Sequence, residues 1–198
     1  MYHLYQTVGY VLKSTAVGEA NRRFDIFTRE LGRVRAVATS VRLSRSKLNV
    51  GLLDFEFSEF SLVRGKGDWR LTSAKPVENI YYLFSGRGER EKVRIIARVF
   101  ALIDRLVPEE EKNEKMFDVL AEGIAYFIRE RFFGEDARSA EAILVLRVLY
   151  CLGYIGEADE LDHFYRSSDW SLDVLKKMHG VRKVAFAHIN KALLESHL

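Results

Sequence analysis

Apolar and polar residues alternate through the first eighty positions of the chain, and a helical period replaces that alternation further on. The alternation predicts strands over residues 5–14, 23–29, 33–39, 53–64 and 69–74. Gly18-Glu19-Ala20-Asn21 and Gly65-Lys66-Gly67-Asp68 supply turns between them. Glu30-Leu31-Gly32 has the length and the closing glycine of a three-residue hairpin loop. Such a loop would set Arg29 opposite Arg33, Phe27 opposite Arg35, Asp25 opposite Val37 and Arg23 opposite Thr39, all on one face. The other face then carries Phe24, Ile26 and Thr28 against Val34, Ala36 and Ala38, a wall fit for burial.

The fourth segment changes parity, from Leu53, Phe55 and Phe57 to Phe60 and Leu62, which predicts a bulge near Ser58-Glu59. Five short strands with one kinked long member fit an OB-type barrel, with a short helix expected over residues 46–53. Gly86-Arg87-Gly88 reads as a hinge. Helices are expected over 89–107, 113–133, from 136 or 139 to 152, 157–165, 169–179 and 181–195. Val93, Ile96, Ala97, Phe100, Ile103 and Val107 would line the first of these, and Met116, Leu120, Gly123, Ile124 and Phe127 the second. The third is apolar almost all round and so belongs at the centre. Gly180 is placed to end the fifth. The fold class is therefore α+β, with an N-terminal OB-fold β-barrel domain over 1–80 followed by an all-α helical domain over 81–198.

Charge refines this division. The net charge is only +3 over 198 residues, yet Arg22, Arg23, Arg29, Arg33, Arg35, Arg42, Arg45 and Lys47 crowd one stretch opposed only by Asp25 and Glu30. A cationic sheet face is how a small barrel holds a nucleic-acid backbone. Phe27 among those arginines would offer a stacking platform, or else it stacks on Arg35 merely to cover the barrel. The Arg29–Arg33 pair would either hold an anion or splay into water. The loops after the first and fourth strands add Arg22, Arg64 and Lys66.

Catalytic and metal chemistry finds little footing. Cys151 is the single cysteine, so no internal disulfide or multi-thiolate zinc site can form, and its apolar neighbours suit a core thiol. His3, His163, His179, His188 and His197 are scattered. His163 beside Asp159, Glu160 and Asp162 lacks further ligands at fixed spacing. Gly65-x-Gly67 and Gly86-x-Gly88 lack the rest of a nucleotide loop. The reading is of a non-enzymatic chain with no cofactor, no metal and no small-molecule substrate. No apolar segment is long enough to span a membrane, which places the chain in the cytoplasm. Lys176, Lys177, Arg182 and Lys183 form a lesser basic patch.

Three groups of residues carry a family resemblance. They are Gly18-Glu19-Ala20-x-Arg22, Phe27-Thr28-Arg29-Glu30-x-Gly32-Arg33-x-Arg35-Ala36-Val37-Ala38, and Ser46-Lys47-Leu48. Together with Leu62-Val63-x-Gly65-x-Gly67 and Leu71-Thr72 they resemble the N-terminal domain of the bacterial recombination mediator RecO family. Leu146-x-x-Leu149, Leu152-Gly153-Tyr154 and Leu161-Asp162 extend the likeness into the back half. The resemblance implies an OB-fold joined to a helical domain, binding to single- and double-stranded DNA, and annealing of complementary strands. It also implies RecR and single-strand-binding protein as partners, loading of the RecA recombinase, and association with the bacterial nucleoid. Thr39-Ser40 replaces a lysine-glycine pair found in many members, so one backbone contact is lost or moves to Arg42 or Arg45. His163-Phe164 stands where many members begin a four-cysteine zinc module, so no zinc finger is expected. From the residues alone, an RNA-binding OB protein and a protein-interaction adaptor remain open beside the DNA reading.

Overall fold

A computed structural model describes residues 3–39, 52–85, 89–156 and 160–196. The expected hinge lies outside these residues, as does nearly all of the expected 46–53 helix. The described chain forms β1 (Leu4–Val17), β2 (Asn21–Thr28), β3 (Gly32–Ala38), β4 (Glu56–Val63), β5 (Trp69–Asn79), α1 (Ile80–Ser85), α2 (Arg90–Leu106), α3 (Glu114–Arg129), α4 (Glu135–Cys151), α5 (Asp162–Arg166) and α6 (Leu172–Glu195). It divides into two compact units. One is Met1–Gly88 with Val107–Glu114, and the other is Glu89–Leu106 with Lys115–Leu198.

In the first unit the strands close a barrel in the order β1-β2-β3-β5-β4. Neighbours are antiparallel except β3 and β5, which run parallel through Ala36–Trp69 and Val37–Arg70. This is the expected OB-type architecture. Inward positions alternate along each strand and bury Val11, Phe24, Ile26, Val34, Ala36, Phe60, Leu62, Trp69 and Leu71 in one cluster. Each fully buried large apolar side chain contributes about 1.5–3 kcal/mol.

Two expectations need correction. The β2–β3 register sits two residues from the expected one: Phe24 pairs with Ala36, Asp25 with Arg35, Ile26 with Val34, Phe27 with Arg33 and Thr28 with Gly32. An even shift keeps every side chain on its expected face while changing each cross-strand neighbour. The loop is thus Arg29-Glu30-Leu31. The Thr28 hydroxyl closes it by accepting from the Leu31 N–H at 3.1 Å and donating to the Gly32 carbonyl at 2.8 Å. Nor does β4 change parity. Glu56, Ser58, Phe60 and Leu62 are all buried, and Phe57 lies on the other face against Tyr10, ring centroids 4.8 Å apart. The irregularity expected near Ser58 does fall there, between Phe57 and Ser58 of the β4–β5 pair, but the unopposed residues belong to β5, at Val77 and again at Thr72, and to β1, at Leu12. The buried Glu56 that replaces an expected apolar position accepts from the Leu53 N–H at 3.3 Å and from Asn79 Nδ2 at 3.2 Å.

In the second unit α4 is buried on nearly every side and packs against α2, α5 and α6, as its all-round apolar pattern requires. The five residues expected inward on α3 are all buried, and Phe117 and Tyr126 join them. Gly180 does not end a helix, because α6 continues through it. Val174, Met178, Ala185, Ile189 and Ala192 form one buried stripe across that glycine, and packing of the stripe outweighs a propensity cost of about 1 kcal/mol. Among the described residues no helix is long and apolar enough to cross a membrane.

Candidate nucleic-acid interface

The outward face of β2 and β3 carries the residues on which the sequence argument rested, and most of them already have partners. Phe27 is fully buried, in a cross-strand row with the buried Tyr10 and Arg33. A buried ring offers no face to a base, so the expected stacking platform is not there. Arg33 is 7% exposed. Its Nε donates to the Val107 carbonyl at 2.8 Å, and its Nη atoms lie 3.5 Å from Asp25 Oδ1 and 3.6 Å from Glu109 Oε1. This arginine is structural. It ties the 107–114 segment to the barrel, where the Glu110 N–H also donates to the Arg33 carbonyl at 2.8 Å.

Arg23, Arg29 and Arg35, and Arg64 just past β4, are at least partly exposed but paired with carboxylates. Arg35 reaches Asp25 Oδ1 at 3.3 Å and Glu109 Oε1 at 2.9 Å. Arg29 lies 4.0 Å from Glu30 and from Glu114. Arg64 hydrogen-bonds Glu110 and stacks over the Trp69 ring at 4.9 Å. The hydrogen bond from Arg64 holds the Glu110 carboxyl below its usual range, with Trp69 Nε1 donating to the same oxygen at 3.1 Å. Arg23 pairs with Asp68 at 3.1 Å, which pins the β4–β5 loop against β2. The expected facing pair of Arg29 and Arg33 does not form.

A different group of cations remains. Arg22, Lys66 and Arg70 have no carboxylate partner among the described residues. Arg70 lies in one cross-strand row with Arg23 and Val37, on the outward side of β2, β3 and β5. Arg22, second in β2, alternates to the side of Phe24 and Ala38 at the end of the strand, its guanidinium 6.0 Å from the Phe24 ring. Lys66 stands exposed on the loop that Asp68 draws toward Arg23. Arg70 was absent from the sequence-derived set. Its signal was the Trp69-Arg70-Leu71 alternation, which turns an arginine outward between two core residues. Arg42, Arg45 and Lys47 lie outside the described residues.

Other candidates in the second unit resolve as structural contacts. His179 Nε2 lies 3.0 Å from Asp136 in the middle of α6, not at a helix end. Lys177 pairs with Asp173 at 2.8 Å, and Arg182 pairs with Glu135. Among the described residues no group of three His, Cys, Asp or Glu is placed to hold a metal ion. Burial raises the Cys151 thiol above its ordinary pKa, with Lys115 opposing weakly. At pH 8 it is therefore expected to react with iodoacetamide more slowly than free cysteine, because less thiolate is present. A rate equal to that of free cysteine would overturn this.

Comparison with known proteins decides the family. Residues 1–80 match the family described as Recombination protein O N terminal. A DNA repair protein RecO of Heliobacterium modesticaldum is 31% identical over 154 residues, covering 78% of this chain and 53% of that protein. The chain belongs to the RecO family. A DNA repair protein RecO of Rubrobacter xylanophilus is 34% identical over 136 residues, covering 59% of this chain and 52% of that protein. One of Alkaliphilus metalliredigens is 28% identical over 117 residues, covering 59% and 46%. The chain thus spans about half the length of the RecO relatives it matches.

Proposed function

We propose that this chain is a non-enzymatic mediator of DNA repair and homologous recombination whose barrel holds nucleic-acid backbones at the Arg22, Lys66 and Arg70 end. It binds single- and double-stranded DNA in the bacterial cytoplasm, at the nucleoid, and anneals complementary strands. With RecR it helps load RecA onto strands coated by single-strand-binding protein. The observation that supports this most directly is that Lys66 on the β4–β5 loop and Arg70 just after it have no carboxylate partner among the described residues, at a loop where OB-folds take their ligands, with Arg22 likewise unopposed at the start of β2. The relatives are DNA repair proteins, which supplies the repair context. With Phe27 buried, phosphate contacts carry the affinity, and little sequence preference follows.

The test is a fluorescence titration of labelled single-stranded DNA at several salt concentrations. Affinity is expected to fall steeply with salt, and Arg22→Ala or Arg70→Ala each to lower the log–log slope by about 1. A flat response would overturn the reading. One observation favours a protein-interaction adaptor instead. The barrel unit exposes Val77, Tyr81 and Tyr82 at 56%, 47% and 62%. Partner capture by a chain with no measurable affinity for DNA would support that alternative.

A further inference from the structure

The segment Val107–Glu114 belongs to the barrel unit and carries Glu109, Glu110, Glu111 and Glu114 against the single Lys112. Its carboxylates meet the arginines of the outward face one after another. Glu109 Oε1 sits between Arg35 Nη2 at 2.9 Å and Arg33 Nη2 at 3.6 Å. Glu110 takes Arg64, and Glu114 approaches Arg29 at 4.0 Å. Glu110 has a positive φ of 62°, and this left-handed residue lets consecutive carboxylates serve two separate arginines. A row of singly charged groups laid along guanidiniums is also what a strand of phosphodiesters presents.

Two kinds of contact hold this segment. The backbone contacts and Arg33 are buried and fixed. The Arg35–Glu109 and Arg64–Glu110 pairs are not: their side chains are 45% and 39% exposed in the first pair and 49% and 38% in the second. Exposed pairs of this kind are weak because water competes for both partners. The glutamate side chains can therefore swing away while the segment stays seated. Asp25, 4% exposed, stays shared between Arg33 at 3.5 Å and Arg35 at 3.3 Å when they do, so losing Glu109 leaves one net positive charge on that trio.

We infer that the Arg35–Arg64 face is a second phosphate-binding surface, held neutral by Glu109 and Glu110 until a nucleic-acid strand displaces their side chains. This rests on the nucleic-acid reading of the barrel. The carboxylates act as a built-in competitor: a short or isolated phosphate gains little there, while a strand already held at the Arg22, Lys66 and Arg70 end reaches this face at high effective concentration.

The test compares the full chain with its E109Q/E110Q variant on a fluorescein-labelled oligothymidylate and on a labelled duplex. Glutamine keeps an acceptor oxygen for Trp69 Nε1 and for the guanidiniums while removing the charge. The variant is expected to bind about tenfold tighter at low salt, with a log–log salt slope steeper by about 2 for the two freed cations. Adding Arg35→Gln and Arg64→Gln to the variant is expected to abolish both gains. Unchanged affinity and slope in a folded E109Q/E110Q chain would overturn the inference. Should that variant lose its fold, E109Q alone decides, since among the described residues the Glu109 side chain pairs only with Arg33 and Arg35; about half of the slope change is expected. The two readings fail differently. Wild-type binding that Arg70→Ala weakens, with no gain in E109Q/E110Q, removes this inference alone. Binding by neither chain removes both.

Discussion

Gly32→Ala is expected to destabilise the barrel unit by about 3 kcal/mol, summing a left-handed backbone cost of about 1–2 kcal/mol and a steric cost of about 1–3 kcal/mol. Gly32 has φ +70°, where a side chain crowds its own backbone. A Cβ there would also collide with the Glu111 carbonyl oxygen, and backbone cannot rotate aside as a flexible side chain can. The 107–114 segment would have to lift, stretching the Glu110 N–H to Arg33 carbonyl bond and the Arg33 bond to the Val107 carbonyl. Gly18→Ala is the control, because Gly18 has φ +63° and open space around its missing Cβ. It should lose only the backbone part, about 1–2 kcal/mol. Urea unfolding followed by the fluorescence of Trp69, with Trp170 replaced by Phe in every chain compared, measures both. Equal midpoints for the two variants would mean that the contact with Glu111 carries no energy.

The same glycine shows how far the sequence could be read. Alternation placed Phe24, Ile26, Val34 and Ala36 on the barrel wall correctly, since burial of one face tolerates only even slips. It could not choose between registers two residues apart. That choice came from the Thr28 hydroxyl and from the close approach of Glu111 to Gly32, the second a contact between residues far apart in sequence. The consequence fell on the site. Asp25 landed beside Arg35 rather than Val37, and the arginine face became a network of ion pairs. Phe27 was misread for a related reason: outward positions of a barrel are exposed only where no later segment covers that face. The acidic run Glu109-Glu110-Glu111 reads locally as a solvated stretch, and nothing in its spacing says that it meets Arg33, Arg35 and Arg64. Family motifs, by contrast, need no contact map, and the motifs from Gly18 to Leu48 with those of the last hairpin carried the RecO resemblance without one.

Buried charge on helices escaped notice by the same logic, and it yields the other large effect. Lys92→Met is expected to destabilise the helical unit by about 3–5 kcal/mol, the usual loss when one member of a buried ion pair is removed. Lys92 is 1% exposed. Its ammonium donates to Glu89 Oε2 at 3.2 Å, to the Phe127 carbonyl at 2.8 Å and to the Glu130 carbonyl at 2.5 Å, with the Phe132 ring 4.6 Å away. The Phe127 carbonyl lies in the last turn of α3 and the Glu130 carbonyl just past it, where backbone acceptors run out of intrahelical donors. One lysine from α2 therefore neutralises a buried carboxylate and caps another helix. Methionine would fill the same volume while leaving Glu89, 3% exposed, charged and unpaired. Glu89→Leu in the same chain should recover part of the loss, because the stranded charge goes with it. The α3 carbonyls stay unsatisfied in both variants, so recovery should stop about 1–3 kcal/mol short of wild type. Thermal unfolding of the two single variants and the double variant measures the cycle. Strict additivity would show that the ammonium and the carboxylate contribute independently, and that capping of α3 is the whole role of Lys92.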